Sequence, residues 1–293
     1  MNDRPEAPYA PRNPARAPKH LEKPLVPRPT RRHHGRMTTP PSHAARARSF
    51  NEAAAQYAAN RPSYPPALFD AIEELSGRPL AGSRVADVGA GTGIATALLH
   101  ARGAQVVAVE PGPGMAAELR RALPEVELVR ADGNCLPFAD ATLDLITYAQ
   151  SWHWTDQTRS VPEALRALKP DGALALWWNT HALDVPWIVE QSDRIGRRFG
   201  ANPAVEKNGS GARAAKADPT GSLDFTHRRI RWSRRVPVDL HLANIGSHSI
   251  FLVDDQTRTQ EFLTAEREHL LGVFPDGFVE ETYVVELLVA KRR

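Results

Sequence analysis

Apolar and polar residues alternate with two different periods along the middle of the chain. Short apolar runs typical of strands occupy residues 84–89, 105–110, 126–132, 143–150 and 173–179. Amphipathic segments typical of helices lie between them, at residues 93–102, 114–123 and 157–169. Because strands and helices alternate, we predict an α/β fold whose parallel sheet is covered by helices on both faces.

Further elements are predicted on either side of this alternation. A short helix covers residues 50–59, and an amphipathic helix that follows three nearby prolines ends near Leu75. Beyond residue 180 we predict helices at 183–200 and 259–271, a mobile polar loop at 202–222 and a basic strand at 228–235. This strand is typical of a solvated sheet edge. The alternative is an acidic acceptor bound by its arginines, Arg229, Arg231, Arg234 and Arg235.

The N-terminal residues 1–48 differ in composition from the rest of the chain. They hold eleven Lys and Arg against three Asp and Glu, a net charge of +8, whereas the whole chain carries +3. The remainder is therefore at −5, and no nucleic-acid partner is expected. The tail is rich in proline and poor in large apolar residues, so we predict that it is disordered, with Met37 as an alternative start.

The sequence offers little for a membrane, a disulfide or a metal. No apolar run reaches the roughly 18 residues of a transmembrane helix, and no signal-peptide pattern follows the first residue. Cys135 is the one cysteine, so no internal disulfide can form, which fits a cytoplasmic location. We expect no metal site, and the oligomeric state stays open.

A glycine-rich turn joins the first predicted strand of the alternation to its helix. The segment VADVGAGTGIAT (residues 85–96) places Gly89, Gly91 and Gly93 at this turn. Ligands of such sheets bind at the carboxyl ends of strands, and glycines let a ligand lie against the backbone. The dinucleotide pattern G-x-G-x-x-G is not met, because Ile94 stands at its third glycine position, and no Gly-Lys-Ser/Thr sequence of a phosphate-binding loop follows.

Two carboxylates end the next two predicted strands. Glu110 follows the glycine turn by about twenty residues, a spacing that suits hydrogen bonds to both hydroxyls of a ribose. Asp132 ends the third strand, where it can accept a hydrogen bond from an adenine amino group. The pattern therefore indicates a nucleoside held without a diphosphate.

Five segments in order resemble the motifs of the class I S-adenosylmethionine-dependent methyltransferases: VADVGAGTG, AVEPGPGM, ADGNCLPFAD, LDLITYAQSWHWTD and LKPDGALALWWNT. The similarity covers about residues 50–180. FNEAAAQYAANRPSYP and AQSWHWTD resemble, within the family, the trans-aconitate and quinone-biosynthesis methyltransferases. The family implies a Rossmann-like, doubly wound, seven-stranded sheet, mostly parallel with an antiparallel last strand, and ETYVVELLVAKR resembles that strand.

The resemblance also implies roles toward the cofactor, S-adenosylmethionine. Asp87 would orient the glycine turn and help hold the cofactor's amino group, and Glu110 would bind the ribose hydroxyls. The other implied contacts are Gly89, Ala90, Gly91 and Gly93 beside the amino-acid part and sugar, Pro111 beside the adenine, Asp132 and Asn134 at the adenine edge, Ala149 and Gln150 near the sulfonium, and Tyr57 and Arg61 as a cover.

The implied reaction is methyl transfer to a small-molecule acceptor, EC 2.1.1.-. A neutral acceptor must lose a proton, and His153, which follows the fourth strand of the alternation, is the candidate base. The alternative for His153 is packing between Trp152 and Trp154, and a carboxylate acceptor would need no base.

Trp177 and Trp178 end the fifth strand of the alternation, where two tryptophans could line an apolar acceptor pocket, although we expect Trp177 in the core. Asn179 could position a polar group of the acceptor.

Two other functions stay open. One is a protein that binds S-adenosylmethionine without catalysis, and the other is a nicotinamide-dependent oxidoreductase, against which the glycine spacing argues. We expect a tail at 1–48 and one methyltransferase domain at 49–293. The domain would comprise a cofactor-binding core at 49–180, a variable acceptor-side insertion at 181–250, and a C-terminal helix and strand at 251–293.

Overall fold

The computed structural model describes residues 54–200 and 216–292, all within one compact unit. The predicted disordered tail and most of the loop predicted at 202–222 lie outside these ranges, as do the side chains of residues 55–57 and 249. The helices are α1 Ala54–Asn60, α2 Pro66–Ser76, α3 Ile94–Ala101, α4 Pro113–Ala122, α5 Gln157–Ala167, α6 Pro186–Phe199, α7 Val238–Gly246, α8 Ser249–Leu252 and α9 Gln256–Val273. The strands are β1 Arg84–Val88, β2 Gln105–Val109, β3 Glu127–Val129, β4 Leu143–Ala149, β5 Leu168–His181, β6 Thr226–Pro237 and β7 Phe278–Lys291.

Local sequence signals account for the ends of several helices. Pro66 occupies the first turn of α2, where a missing N–H costs nothing, and Gly77 ends the helix with a left-handed φ of 69°. Asp156 and Asp255 cap α5 and α9, because each carboxylate accepts a hydrogen bond from a first-turn backbone N–H, at 3.1 and 2.9 Å. The predicted helices in the described ranges are confirmed.

The seven strands form one sheet in the order β3-β2-β1-β4-β5-β7-β6. Strands β1 to β5 pair in parallel, and β7 runs antiparallel to both β5 and β6. The predicted fold, mostly parallel with an antiparallel last strand, is confirmed. That strand lies between β5 and β6 rather than at the edge of the sheet, so the basic strand β6 becomes the edge.

The sheet is buried on both faces, which explains why its central strands are continuously apolar. One face packs against α2 through Leu68, Phe69 and Ile72, and the other packs against α5 through Val161 and Ala164. A third apolar cluster lies among α6, α7, α8, α9 and the start of β7. Within the described residues, no helix combines the length and apolarity needed to cross a membrane.

This topology positions the candidate site. The chain leaves β1 to form β2 on one side and returns to form β4 on the other, so the strand order reverses between β1 and β4. The carboxyl ends of β1, β2, β4 and β5 meet at one edge, and ligands of open α/β sheets bind in the crevice outside such a reversal.

Candidate functional site

The glycine turn follows β1 at this edge. Gly89, Gly91 and Gly93 all have left-handed φ angles, of 67°, 60° and 90°. A Cβ on Gly89 would lie 2.4 Å from Cβ of Ser151, whose hydroxyl donates a hydrogen bond to the Val88 carbonyl at 2.5 Å. A Cβ on Gly91 would meet nothing within 4 Å. Gly89 therefore serves the close approach of β1 to the segment after β4, and Gly91 borders open space.

Thr92 adds a polar group to the same turn. Its hydroxyl is buried and has no hydrogen-bond partner within the described part of the chain. Buried polar groups are nearly always paired in native proteins, so an unpaired one at a strand end calls for an explanation. Ala90, the neighbour of Gly89, is also buried, and its N–H donates to the Val109 carbonyl at 3.1 Å.

Asp87 lies entirely inside the protein, one residue before the end of β1. Its carboxylate accepts hydrogen bonds from the hydroxyls of Thr96 on α3, at 2.6 Å, and Thr147 on β4, at 2.9 Å. Burial raises the pKa of Asp87 to about 6, and the two hydroxyls oppose that shift. Asp87 therefore ties α3 and β4 to β1 on either side of the glycine turn.

Glu110 follows β2 and reaches back to the glycine turn. Its two carboxylate oxygens accept hydrogen bonds from the backbone N–H groups of Gly91, at 2.8 Å, and Gly112, at 2.7 Å. Burial raises the pKa of this carboxyl, and the two N–H groups oppose the rise. Only 7% of Glu110 is exposed, yet a carboxylate has about four acceptor positions, so two remain for further donors once the contacts within the described residues are made.

The loops after β2 and β3 are held by side chains. The Pro111 carbonyl accepts a hydrogen bond from Arg130 at 2.8 Å. Asp132 accepts two from Asn134, from its backbone N–H and its side-chain amide. The Asn134 side-chain oxygen in turn accepts from the Asp156 backbone, at 2.7 Å, and from Ser160. The side chain of Asn134 therefore joins this loop to the start of α5.

The segment after β4 turns sharply. Ala149 is half-buried at the end of β4, and Gln150 follows with a left-handed φ of 56°, which is uncommon for a residue other than glycine. The Gln150 side chain donates to the Tyr64 hydroxyl at 3.4 Å, and its backbone N–H donates to the Trp177 carbonyl. Residues in such backbone conformations concentrate at functional sites.

His153 is exposed in the short 3-10 helix Trp152–Trp154. Its Nδ1 accepts a hydrogen bond from Trp178 Nε1 at 3.4 Å, and its ring lies 4.9 Å from that of Trp154. Trp152 is buried and donates to the Ala217 carbonyl, so the two tryptophans beside His153 differ in environment.

The N-terminal helix covers part of the same edge. Helix α1, which carries Tyr57, contacts α4 and α7. Arg61 follows α1. Burial is the main cause that lowers the pKa values of His181 and His248, and the positive charge of Arg61 lowers both further. Arg61 therefore lies on the β5 and α7 side of the edge.

Two predictions beyond the glycine turn have clear outcomes. The arginines of β6 form ion pairs within the protein: Arg229 with Glu286, Arg231 with Asp184, Arg234 with Glu281 and Arg235 with Asp276. These pairs support the sheet-edge interpretation of the strand.

Trp177 is completely buried, and its predicted core position is confirmed.

Sequence reasoning missed the hydroxyl residues that connect this site: Thr96, Thr147, Ser151 and Ser160. Thr147 alone had a usable signal, since it is a polar residue inside an apolar buried strand. The others stand in loops and helices where serine and threonine are ordinary.

Comparisons with known proteins agree with this geometry. Residues 86–176 match the family described as a methyltransferase domain. An uncharacterized methyltransferase of Mycobacterium tuberculosis (strain ATCC 25618 / H37Rv) is 44% identical over 149 residues, 51% of this chain and 59% of that protein. Trans-aconitate 2-methyltransferase of Shigella dysenteriae is 39% identical over 137 residues, 42% of this chain and 54% of that protein. The chain thus spans little more than half the length of these relatives.

A solved structure from Anaeromyxobacter dehalogenans, described as a candidate type II methyltransferase, covers 79% of this chain and 98% of its own. Its TM-score is 0.60 at 22% sequence identity, which is evidence for the fold. These findings confirm the resemblance to class I S-adenosylmethionine-dependent methyltransferases, and residues 86–176 match a methyltransferase domain.

Proposed function

We propose that this protein transfers a methyl group from S-adenosylmethionine to a small-molecule acceptor. The observation that carries the proposal is the contact of Glu110 with the Gly91 N–H, at 2.8 Å. It places a buried carboxylate with spare acceptor positions against a backbone turn that borders open space. The Thr92 hydroxyl in the same turn, which has no partner among the described residues, supports a ligand there.

The residues present fit the cofactor. Gly91, Thr92 and Gly93 would lie against its amino-acid part and sugar, and the spare positions of Glu110 would accept from ribose hydroxyls. Asp132 would accept from the adenine amino group, with Asn134 holding that loop in place. Pro111 would lie beside the adenine, and Tyr57 and Arg61 would cover the site. The roles of Asp87, Gly89 and Ala90 would be to shape the turn.

The bound cofactor supplies an electrophilic methyl group, so the chain's task is to align the acceptor and exclude water. Ala149 and Gln150, at the end of β4, would border the reacting centre. His153 lies in the segment that follows and is the proposed base if the acceptor has to lose a proton. Its exposure leaves the ring open to solvent, but Nδ1 accepts a hydrogen bond from Trp178, so that bond would have to break before Nδ1 could take the acceptor's proton.

The proposal extends to the protein's surroundings. We place its activity in the cytoplasm, with residues 49–293 acting as one methyltransferase domain and residues 181–250 on the acceptor side. Binding without catalysis is the second candidate function, favoured if labelled methyl from S-adenosylmethionine reaches no acceptor in a mixture of small metabolites. A nicotinamide-dependent oxidoreductase is disfavoured by Ile94 at the position of the third glycine.

The test is calorimetric titration of wild type and Glu110→Gln with S-adenosylmethionine. We expect the variant to bind more weakly by about 1–3 kcal/mol, the scale for a lost hydrogen bond to a charged group. Glu127→Gln, at the exposed start of β3, is the control and should bind like wild type. Equal affinities in all three proteins, or binding of NADH instead, would contradict the proposal.

A further inference from the structure

Three side chains on one face of β5 carry buried nitrogen atoms without hydrogen-bond partners. They are Trp177 Nε1, Asn179 Nδ2 and His181 Nε2, unpaired within the part of the chain that the structure describes. Alternate residues of a strand point to the same face, so these three residues lie in a row with their Cα atoms roughly 7 Å apart. We call these three residues the β5 row.

The orientations of the three side chains are set by their neighbours. The Asn179 side-chain oxygen accepts a hydrogen bond from Trp232 Nε1 at 3.0 Å, so its amide N–H₂ group faces away from that indole. The His181 ring stacks on Tyr283 with centroids 5.5 Å apart. Trp177 makes edge contacts with Tyr64 and Phe69. The row is therefore held in place by packing.

Unpaired buried polar groups are costly. Each costs about 1–3 kcal/mol, and native proteins keep few of them. Three on successive same-face positions of one strand concentrate that cost in one place. An energetic cost of this kind is recovered when a ligand or an ordered water supplies the missing partners.

The row begins beside the candidate cofactor site. Trp177 pairs with Ala149 of β4, and the Gln150 side chain reaches Tyr64, which contacts the Trp177 ring. The row then leads outward along β5, past the end of β4, to His181. A ligand along the row would therefore have one end next to the segment where methyl transfer is proposed.

The chemistry of the row selects its ligand. Trp177 Nε1 and Asn179 Nδ2 are donors only. Burial lowers the pKa of His181 to about 4, so its imidazole is neutral near pH 7 and can donate or accept. Arg61 contributes positive charge nearby, and the negative charge of Glu281, also nearby, is compensated by its own three donors. A protonated amine would meet N–H groups and a cation, whereas carbonyl or carboxylate oxygens would meet donors.

We propose that the β5 row binds the methyl acceptor, and that the acceptor is a small molecule with at least two hydrogen-bond-accepting oxygens spaced along its length. The inference rests on the proposed methyltransferase function and adds a substrate class and the residues that select it.

Three probes of one chain length test the class. Glutarate offers charged oxygens at both ends, glutaramide offers uncharged oxygens, and 1,5-diaminopentane offers only protonated amines. Each is titrated into the full-length protein, with and without S-adenosylhomocysteine, while the tryptophan indole N–H signals are followed by ¹H–¹⁵N NMR. The Trp177 signal is assigned as the one missing from Trp177→Phe.

We expect glutarate, glutaramide or both to shift the Trp177 signal and the diamine to leave it unchanged. A response to both indicates hydrogen bonding, and a response to glutarate alone adds a requirement for charge. A response to the diamine alone, an equal response to all three, or none at all would overturn the proposal. The last outcome would mean that the row binds only water.

Two matched variants test the residues. Asn179→Asp keeps an oxygen for Trp232 but replaces the unpaired donor by a carboxylate oxygen. The affinity for the probe that shifts the Trp177 signal should fall about tenfold or more. Thr180→Val, on the opposite face of β5, loses only a bond to the Val284 carbonyl and should bind the probe within about twofold of wild type. The same affinity in Asn179→Asp, or a loss in Thr180→Val, would contradict the assignment.

The two proposals fail separately. A protein that binds no S-adenosylhomocysteine contradicts the cofactor site, whatever the indole signal does. If the protein binds S-adenosylhomocysteine but the Trp177 signal does not shift with the oxygen probes, only the proposal that the β5 row binds the acceptor is contradicted.

Discussion

At the scale of single residues, the two glycines Gly89 and Gly91 share a backbone conformation but not a neighbourhood. Both have left-handed φ angles near 60–70°. A side chain on Gly89 would collide with Ser151, whereas one on Gly91 would project into open space. The first glycine therefore serves folding, and the second serves whatever lies against the turn.

This difference predicts unequal effects of the same substitution. Gly91→Ala should lower the free energy of unfolding by about 1–2 kcal/mol, which is the cost of a left-handed φ alone. The same variant should lose more free energy of S-adenosylmethionine binding than free energy of unfolding. Gly89→Ala should lower the free energy of unfolding by more, because the Ser151 collision adds to the same strain. Urea unfolding and calorimetry of both variants check this. Equal losses of stability would contradict the assignment of roles.

Asp87 predicts a pH effect of defined sign. Because burial raises its pKa to about 6, the folded state favours the protonated carboxyl. The corresponding stabilisation is complete below about pH 4, the unfolded pKa, and is lost as the pH rises through 6. Asp87→Asn stays uncharged, so its stability relative to wild type should rise by about 3 kcal/mol between pH 4 and pH 7.5 in urea unfolding.

Asp144 provides the comparison of opposite sign. Burial raises the pKa of its carboxyl, but the Arg84 N–H, Lys169 and Arg78 outweigh burial and hold the pKa below its usual value. Asp144→Asn should therefore lose stability relative to wild type as the pH rises from acid to neutral. Parallel pH profiles for wild type, Asp87→Asn and Asp144→Asn would refute both assignments.

At the scale of elements, a buried polar network joins α7 to β6 and β7. The Glu281 carboxylate accepts from His241, at 2.7 Å, from Arg234, at 2.5 Å, and from Asn244, at 3.2 Å. Burial alone would raise the pKa of Glu281, but His241 and Arg234 outweigh it and lower the pKa to about 2. The carboxylate is thus charged at neutral pH and compensated by three donors.

Glu281→Gln should destabilise the protein strongly. Removing one member of a buried ion pair leaves the other charge uncompensated, which costs about 3–5 kcal/mol. Glu280→Gln, the next residue on β7, is exposed and should change the free energy of unfolding little. Urea unfolding at neutral pH measures both, and similar midpoints would show that the network contributes nothing to the joining of these elements.

The elements themselves followed from local sequence to different extents. The strands β1, β2, β4 and β5 were predictable because burial on both faces makes such strands continuously apolar. Pro66, Gly77, Asp156 and Asp255 account for helix ends in the structure, but the predicted start of α9 at residue 259 missed the cap at Asp255. The network around Glu281 was not predictable, because Glu281 lies more than thirty residues from each of its partners and their residue types are ordinary for a surface.

At the scale of the whole molecule, charge separates the tail from the rest. Residues 1–48 carry +8, and the remainder carries −5. We predict that removing residues 1–48 leaves the affinity for S-adenosylmethionine within about twofold of the full chain, because the proposed contacts all lie beyond residue 50. Calorimetry at two salt concentrations checks this. A large, salt-dependent loss would assign the tail an electrostatic role.

The sequence by itself determined the α/β class, the glycine turn, the carboxylates that end the strands and the resemblance to class I methyltransferases. These features depend on residues close together in the chain or on periodicities of 2 and 3.6, so a local pattern suffices. Tertiary structure alone decided that β7 lies between β5 and β6, that Ser151 closes on Gly89, and that three nitrogens without partners in the described ranges share one face of β5. Those facts depend on which distant groups become neighbours and on which polar atoms burial leaves without partners, and a local pattern records neither.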